Sequence, residues 1–223
     1  MELRGAMDGW GCPLCRLVAK AEMTYLDSLN YERVLDFNTW DALQASRGMC
    51  EPHSRAWERL SGCALGLAMV NRVVLLNLQR ATDPKKSPAK SGLFRRAATP
   101  AHLAEALESS GECPACTLAA DTATRFADVL LKDIRESESQ ALLRESGGLC
   151  LPHLRLTLAR PGARRGESDL IAVHREVWAA LMAELEEFIR KNDYRFQGEK
   201  MTPGESTSWR RALDISVGLK RGA

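Results

Sequence analysis

The sequence predicts an all-α protein made of two related halves. Its 223 residues are dominated by Ala, Leu, Arg and Glu, only 6% are aromatic, and runs of Val, Ile and Thr are missing, a balance that favours helices over sheets. Apolar residues recur at helical spacing along most of the chain. A cysteine and histidine motif also occurs twice, about 100 residues apart. We therefore expect two pseudo-repeated halves, each a helical hairpin followed by a long helix.

The composition is that of an ordinary globular protein. Hydrophobic residues make up 45% and charged residues 27% of the chain, which argues against disorder. The net charge is only +2, so no overall field attracts nucleic acid or anionic membranes. The longest charge-free apolar stretch, 60–71, is shorter than the roughly 20 residues needed to span a bilayer, and the N-terminal residues lack the apolar core of a secretory signal. We therefore expect a cytoplasmic protein with no membrane partner.

One pattern, C-P-x-C followed by a spacer and C-x-P-H, accounts for six of the seven cysteines. Its two copies are Cys12-Pro-Leu-Cys15 with Cys50-Glu-Pro-His53, after 34 intervening residues, and Cys113-Pro-Ala-Cys116 with Cys150-Leu-Pro-His153, after 33. Other residues also recur 100 positions later, namely Leu43, Ser46, Gly48 and Pro52. An internal duplication is the simplest explanation of this match.

The pattern is typical of a metal site. Three thiolates and one imidazole form a closed zinc site, and two cysteines separated by two residues can bind one ion from a helix start. Two helices of about 15 residues each would form a hairpin that returns the chain to its starting end. We therefore predict one Cys3His zinc site in each half, made of Cys12, Cys15, Cys50 and His53 and of Cys113, Cys116, Cys150 and His153. Pro13 and Pro114 favour helix starts at the C-P-x-C motifs, where helix N-termini stabilise thiolate charge.

The remaining cysteine and a third histidine have simpler interpretations. Disulfides would leave one cysteine over and give the histidines no role, and they are rare in the cytosol. Cys63 has no counterpart in the second half and is predicted to be a buried core thiol. His174 lies on the apolar stripe of a long helix, where we expect a core residue rather than a ligand.

The first half, residues 1–82, is predicted to contain three helices. One follows Cys15, a second ends at Gly48, and the third runs without a break over about 51–80. Residues 83–100 are rich in Pro, Ser, Gly and basic side chains and predict a flexible linker. Their charge could also indicate a nucleic-acid-binding arm, but they contain no repeated aromatic or arginine motif, so we expect a solvated linker and no nucleic acid partner.

The second half, residues 101–192, repeats this plan. Its predicted helices lie near 101–110, 114–132, 138–147 and 168–191, and Pro161-Gly162 interrupts the helix that follows His153. Residues 193–223 are predicted to form a loop and a docking helix capped near Ser206. We expect three aromatic side chains to dock this segment, namely Tyr194, Phe196 and Trp209.

The motifs together resemble those of a bacterial family of unknown function. The resemblance covers nearly the whole chain and comprises the duplicated C-P-x-C and Gly-x-Cys-x-x-His motifs and the closing Asp193-Tyr-Arg-Phe196 with Glu205 and Trp209. It implies a helical, cysteine-rich protein found in bacteria. It implies no activity, substrate or catalytic residue.

Three functions are compatible with the motifs. The first is a protein with two structural zinc ions whose surface serves as an interaction or ligand-binding module, with an unknown protein partner. The second is an iron–sulfur redox protein that uses the same ligands. The third is a thiol–disulfide oxidoreductase, because Trp10-Gly-Cys-Pro-Leu-Cys15 loosely resembles the Trp-preceded C-x-x-C of thioredoxins.

Motifs of other enzyme classes are missing from the sequence. It contains no G-x-S-x-G, no phosphate-binding glycine loop and no H-E-x-x-H. Four polar residues near the C-terminus could line a pocket between the halves, namely Tyr194, Arg195, Glu205 and Arg210, but docking of the C-terminal segment explains them more simply. We therefore expect no catalytic residue, while homo-oligomerisation stays open.

Overall fold

The computed structural model describes residues 2–31, 36–83, 100–196 and 198–219, and these residues form α-helices without any strand. The α-helices are α1 (Glu2–Ala6), α2 (Pro13–Tyr31), α3 (Phe37–Ala45), α4 (Glu51–Glu58), α5 (Cys63–Ala81), α6 (Pro100–Leu107), α7 (Pro114–Asp133), α8 (Ser137–Glu145), α9 (Leu151–Leu158), α10 (Glu167–Lys191) and α11 (Pro203–Val217). Short 3-10 helices occur at Ala163–Arg165 and Tyr194–Phe196. The predicted all-α class is confirmed. The predicted linker falls largely on 84–99, outside the described residues.

The chain forms two compact units that interleave in sequence. Unit 1 combines Met1–Ala21 with Ala119–Ala223, and unit 2 consists of Glu22–Leu118. The division predicted from sequence followed the chain in linear order, as 1–82 and 101–192. The boundaries of the compact units instead fall within helices α2 and α7. Unit 1 contains the start of α2 and the remainder of α7, whereas unit 2 contains the start of α7 and the remainder of α2.

Unit 1 is built around α7 and α10. The buried side chains of α7 in this core are Phe126, Ala127, Leu130 and Leu131, and those of α10 are Leu170, Val173 and Val177. Helix α10 contacts α8 and α11, and α11 also contacts α9. The N-terminal segment packs on the same core through Leu3, Met7, Leu14 and Leu17. This packing brings the start of α2 into the same core as Cys150 and Leu154.

His174 is a fully buried part of the unit 1 core, as predicted. Its Nδ1 donates to the carbonyl of Leu170 (2.7 Å), and its Nε2 accepts from the N–H of Leu149 (2.8 Å). Both ring nitrogens are therefore satisfied when the imidazole is neutral. Burial lowers the pKa of His174 below its ordinary value of 6.5.

Among the residues that the structure describes, the core of unit 2 contains fewer buried side chains than that of unit 1. It consists of the buried side chains Leu26, Leu29, Leu43, Trp57 and Val70. Trp57 donates from its indole nitrogen to Asn30 Oδ1 (2.7 Å), which ties α4 to the end of α2. Helix α5 contacts α3, α4 and α6.

The predicted continuous helix over 51–80 is wrong. Helix α4 ends at Glu58 and α5 begins at Cys63, because Gly62 adopts a left-handed conformation with φ of +77° that interrupts the helical path. Cys63 is consequently the first residue of α5 and is half-buried rather than part of a closed core. Its Sγ donates to the carbonyl of Glu58 (3.4 Å).

The C-terminal helix also begins earlier than predicted. Thr202 caps α11, since Thr202 Oγ1 accepts from the Glu205 N–H (3.2 Å) and Glu205 Oε2 accepts from the Thr202 N–H (2.8 Å). Only one of the three predicted docking aromatics packs in this way: Phe196 is half-buried with the Arg190 guanidinium of α10 4.8 Å from its ring centre, whereas Tyr194 is 80% and Trp209 46% exposed. Ion pairs attach the helix to α10 instead, namely Lys191 with Glu205 and Glu184 with Arg211.

Candidate metal centres

All four cysteine motifs lie at helix starts, as predicted. Helices α2 and α7 begin at Pro13 and Pro114, immediately after the first cysteine of each C-P-x-C. Cys50 and Cys150 are the N-cap residues of α4 and α9. The tight turn before each N-cap contains a glycine with positive φ, Gly48 at +89° and Gly148 at +77° in equivalent positions. The ligand side chains therefore project from first helical turns, where the helix dipole favours negative charge.

The first group of side chains, cluster 1, consists of Cys12, Cys15, Cys150 and His153 in unit 1. Their four potential ligand atoms all lie within 4.8 Å of one another. His153 Nδ1 is 3.4 Å from Cys12 Sγ, 3.3 Å from Cys15 Sγ and 3.3 Å from Cys150 Sγ. The Sγ atoms of Cys15 and Cys150 are 3.6 Å apart.

The second group, cluster 2, consists of Cys50, His53, Cys113 and Cys116 in unit 2, again within 4.8 Å of one another. His53 Nδ1 is 3.0 Å from Cys50 Sγ, 3.6 Å from Cys113 Sγ and 3.4 Å from Cys116 Sγ. The Sγ atoms of Cys50 and Cys116 are 3.5 Å apart. Both clusters thus present three sulfurs to the Nδ1 atom of one histidine.

The pairing predicted within each sequence half is wrong. Each cluster combines a C-P-x-C motif from one half with a C-x-P-H motif from the other. The reason lies in helix length: α2 has 19 residues but α3 only 9, and α7 has 20 but α8 only 9. At about 1.5 Å per residue, the returning helix covers half the length of the outgoing one. A hairpin of two equal helices, which the pairing required, does not form.

Backbone hydrogen bonds support the crossed pairing in each unit. In unit 1 the N–H of Gly11, just before Cys12, donates to the carbonyl of Ser146 at the end of α8 (2.7 Å). In unit 2 the N–H of Gly111, just before Cys113, donates to the carbonyl of Ala45 at the end of α3 (3.0 Å). In both cases the loop that leads into C-P-x-C is fixed to the short helix that precedes the other motif.

The C-terminus of the described chain completes the surroundings of cluster 1. Gly218 ends α11 with φ of 89° and ψ of 171°, a conformation that only glycine adopts easily. A Cβ atom at this position would lie 3.2 Å from Cys15 Sγ and 3.4 Å from Cys150 Sγ. The backbone N–H of Leu219 also acts on Cys15, whose pKa it lowers. The main chain after α11 is therefore in contact with the sulfurs of cluster 1.

Burial and mutual contacts perturb the titration of cluster 1. Burial raises the pKa of Cys12 far above its ordinary value. Hydrogen bonds from Cys12, Cys150, His153 and the Leu219 backbone lower the pKa of Cys15. Burial opposes protonation of His153, but its hydrogen bonds with Cys15 and Cys150 outweigh that effect and raise its pKa to about 9. The shifts of Cys15 and His153 favour a thiolate beside an imidazolium without metal, so that a metal ion bound through His153 Nδ1 would displace a proton.

Cluster 2 has a different environment. Burial raises the pKa of Cys116 to about 12. Burial also opposes ionisation of Cys113, but backbone N–H groups of Cys50 and Cys116 outweigh it and lower the pKa of Cys113. On the far side of the histidine ring, His53 Nε2 lies 3.1 Å from Oε1 of Glu22, and both side chains are buried.

The donor atoms fit a single tetrahedral metal ion. Zinc bonds of 2.0–2.3 Å place tetrahedral ligand atoms about 3.5–3.8 Å apart. The shortest donor separations, 3.3–3.6 Å in cluster 1 and 3.0–3.6 Å in cluster 2, are close to that range, and no two donor atoms of a cluster lie more than 4.8 Å apart. All seven cysteines are free thiols, so the sulfurs are near one another without disulfide bonds. Each cluster can therefore hold a metal ion.

The polar residues noted near the C-terminus have partners of their own. Arg195 forms an ion pair with Asp193 (2.7 Å), and Glu205 forms one with Lys191 (2.8 Å). The guanidinium of Arg210 lies 4.8 Å from the ring centre of Trp209. These contacts give Arg195, Glu205 and Arg210 structural roles, whereas the side chain of Tyr194 is 80% exposed.

Sequence reasoning missed the residues that surround the clusters. Glu22 lies within the helix that follows the first C-P-x-C, where an acidic residue carries no distinguishing pattern. The only available signal was a difference between the duplicated halves: the counterpart of Glu22, 101 residues later, is Ala123. Gly218 and Leu219 lie outside the repeated segments, so that no internal comparison could identify them.

Comparison with known proteins places the chain in a family. It belongs to a family of unknown function (DUF6062), whose sequence profile matches residues 6–219. The matched region includes every residue of both clusters. No curated protein and no solved structure matches the chain. No helix among the described residues is long and apolar enough to cross a membrane. The family resemblance in the motifs is confirmed, and it assigns no activity.

Proposed function

We propose that each cluster binds one zinc ion, and that the protein is a zinc-stabilised helical module rather than an enzyme. The observation that carries this proposal is the convergence of three sulfurs and one imidazole nitrogen within 4.8 Å in both clusters. This ligand set and spacing are those of closed zinc sites. Four protein ligands leave no open position for a substrate or a reactive water, which favours a structural role.

The spacing favours one ion over a polynuclear cluster. In a tetranuclear iron–sulfur cluster each protein ligand binds a different iron atom, so the ligand sulfurs lie further apart than those around one ion. The sulfurs of each cluster all lie within 4.8 Å of one another, with one pair at 3.5 Å in cluster 2 and one at 3.6 Å in cluster 1, as expected of ligands that share one centre. A thiol–disulfide oxidoreductase needs a C-x-x-C pair free to react. Here each such pair is in contact with a further cysteine and a histidine.

The two ions would connect segments that are distant in sequence. Cluster 2 joins Cys50 to Cys116, which are 66 positions apart. Cluster 1 joins Cys15 to Cys150, which are 135 positions apart, so that the segment containing cluster 2 lies between them in the sequence. Closing such loops restricts the unfolded chain, and metal binding to them is coupled to folding. Since the core of unit 2 is small, we expect this unit to depend strongly on its ion.

A surface on α11 supports the further proposal that this module binds a protein partner. Trp209, Leu213 and Val217 are 46%, 53% and 65% exposed and follow one another at four-residue intervals, so that they share one helix face. Exposed apolar patches of this kind are common at protein interfaces. We also propose a reducing compartment, the cytoplasm, because thiolate ligands must stay unoxidised to bind zinc.

Metal analysis of the purified chain tests the zinc proposal. We expect two zinc ions per chain, a colourless protein, and unfolding by circular dichroism when a strong chelator is added. A chain that stays folded and cooperative after complete metal removal would contradict the structural role. Visible absorption with acid-labile sulfide would favour the iron–sulfur alternative, and catalytic turnover in a disulfide reductase assay would favour the oxidoreductase.

A further inference from the structure

We infer that Glu22 is a positioning residue for the His53 ligand and makes cluster 2 the slower of the two clusters to release its metal. This inference rests on the proposed function, because it assigns a role to Glu22 only if cluster 2 binds an ion. It goes beyond the ligand set by distinguishing two clusters whose ligands are the same in kind.

The geometry of the contact carries the inference. His53 directs Nδ1 towards the three sulfurs of cluster 2 and Nε2 towards Glu22 Oε1, 3.1 Å away. Nδ1 can bind a metal only through its lone pair, so the ring proton must lie on Nε2. The Glu22 carboxylate accepts a hydrogen bond from that proton, which fixes both the tautomer and the orientation of the ring.

Burial strengthens this arrangement. Glu22 is 6% and His53 3% exposed, so water does not compete effectively for the hydrogen bond. Glu22 comes from α2, whereas His53 comes from the first turn of α4. The ring is therefore held between two elements, with the sulfurs on one side and a carboxylate on the other.

Cluster 1 does not have this support. The residue 101 positions after Glu22 is Ala123, whose side chain has no hydrogen-bonding group. Across the parts of unit 1 that the structure describes, no carboxylate is hydrogen-bonded to His153. His153 is also only half-buried, so water can reach its ring more easily than that of His53. Hydrogen-bond partners of this kind change metal affinity by about 10- to 100-fold, which predicts a difference of that order between the clusters.

Zinc release from the full-length chain to an excess of a colorimetric chelator provides the test. We expect wild-type protein to release two ions in two phases, and Cys113→Ser to lose the slow phase, which assigns that phase to cluster 2. Glu22→Leu fills a similar volume without an acceptor and is expected to accelerate the slow phase about 10- to 100-fold while the fast phase is unchanged. Glu22→Gln keeps an acceptor and should fall between Glu22→Leu and wild type.

Glu205→Gln is the matched control, because Glu205 is another buried glutamate of the chain and contacts neither cluster. The slow phase of this variant should match wild type, because Glu205 lies on α11 in unit 1 and contacts no side chain of cluster 2. Nitrogen-15 NMR of the histidine rings adds a readout that a packing role would not affect: the Nε2–H signal of His53 should be protected from solvent exchange in wild type and lost in Glu22→Leu.

The outcomes separate this inference from the proposal on which it rests. Two bound ions with a slow phase that Glu22→Leu leaves unchanged would overturn the role of Glu22 and leave the zinc proposal intact. A slow phase that disappears in Cys150→Ser rather than in Cys113→Ser would also overturn the inference, since it would assign slow release to cluster 1. Wild-type protein that binds no metal would overturn both.

Discussion

The two clusters share ligand types, local sequence and helix geometry, but they differ in what surrounds the ligands. Cluster 2 has a buried carboxylate behind its histidine, whereas the main chain at Gly218–Leu219 contacts the sulfurs of cluster 1. Duplicated motifs thus supply the ligands, while residues that are not repeated determine the environment. Two sites that look equivalent in sequence are therefore expected to differ in stability and in their response to mutation.

The largest expected effect tests which residues share an ion. The double variant Cys15→Ser/Cys150→Ser should retain one zinc ion, because both residues belong to cluster 1, whereas Cys15→Ser/Cys50→Ser should retain none. Each lost ion should lower the free energy of unfolding by several kcal/mol, because zinc binding at such sites is coupled to folding. Inductively coupled plasma analysis and chemical denaturation measure both quantities.

Cys63→Ser is the control for these variants, since Cys63 lies outside both clusters. It should retain two ions and lose at most about 1 kcal/mol. The opposite pattern in the double variants, with one ion left in Cys15→Ser/Cys50→Ser, would restore the pairing within sequence halves.

His174 tests the core next to cluster 1. His174→Leu removes the acceptor of the buried Leu149 N–H and should cost about 2–3 kcal/mol without removing an ion.

The same residue makes the stability of unit 1 depend on pH. Because burial lowers the pKa of His174 in the folded state, the unfolded chain binds the proton more readily, so stability should fall as pH decreases below 6.5 towards the folded pKa. His174→Leu should weaken this loss of stability between pH 6.5 and 5, as measured by urea titrations over that range. The same dependence of unfolding free energy on pH in His174→Leu and wild type would contradict the role of His174.

Gly218 tests the main-chain contact that distinguishes cluster 1. Gly218→Ala places a Cβ atom 3.2 Å from Cys15 Sγ in a backbone region that favours glycine, which should cost about 1–3 kcal/mol. We expect the rate of metal release from cluster 1 to increase and the rate of release from cluster 2 to stay unchanged. Gly5→Ala is the control, because the equivalent Cβ atom meets nothing within 4 Å. Equal acceleration of both release phases in Gly218→Ala would show that the contact is not specific to cluster 1.

Helix capping gives the smallest effect and a comparison between the units. Thr202→Ala removes the cap of α11 in unit 1, and Asp36→Ala removes the cap of α3 in unit 2, where Asp36 Oδ2 accepts from the Thr39 N–H (2.9 Å). Each should cost about 1 kcal/mol by thermal denaturation. Only Thr202→Ala should also speed metal release from cluster 1, since α11 ends at that cluster. Ser206→Ala, at an exposed position of the same helix, should be neutral.

The sequence predicted local structure better than it predicted partners. Pro13 and Pro114 identified the starts of two long helices, because the preference of proline for the first helical turn acts within a few residues. The break at Gly62 was missed because one glycine can be tolerated in a helix, and only tertiary packing decides whether it terminates one.

The crossed pairing of the ligands was also beyond sequence reasoning. Spacers of 34 and 33 residues are compatible with two equal helices, and the actual division into a helix of about twenty residues and one of nine was not evident. The ligand types were nevertheless predictable, because chemistry restricts them to few residues. Which four gather around one ion depends on helix length and on contacts such as that of Gly11 with Ser146.

The nested order of the two clusters has a consequence for biosynthesis. As the chain leaves the ribosome from its N-terminus, the ligands of cluster 2 are all available once Cys116 has emerged. Cys12 and Cys15 are made first, yet they must wait for Cys150 and His153, and Leu219 arrives later still. If the clusters bind metal as proposed, vectorial synthesis allows cluster 2 to bind its ion before cluster 1 does. Of the six cluster cysteines, the first two to be synthesised would then be among the last to be protected by metal.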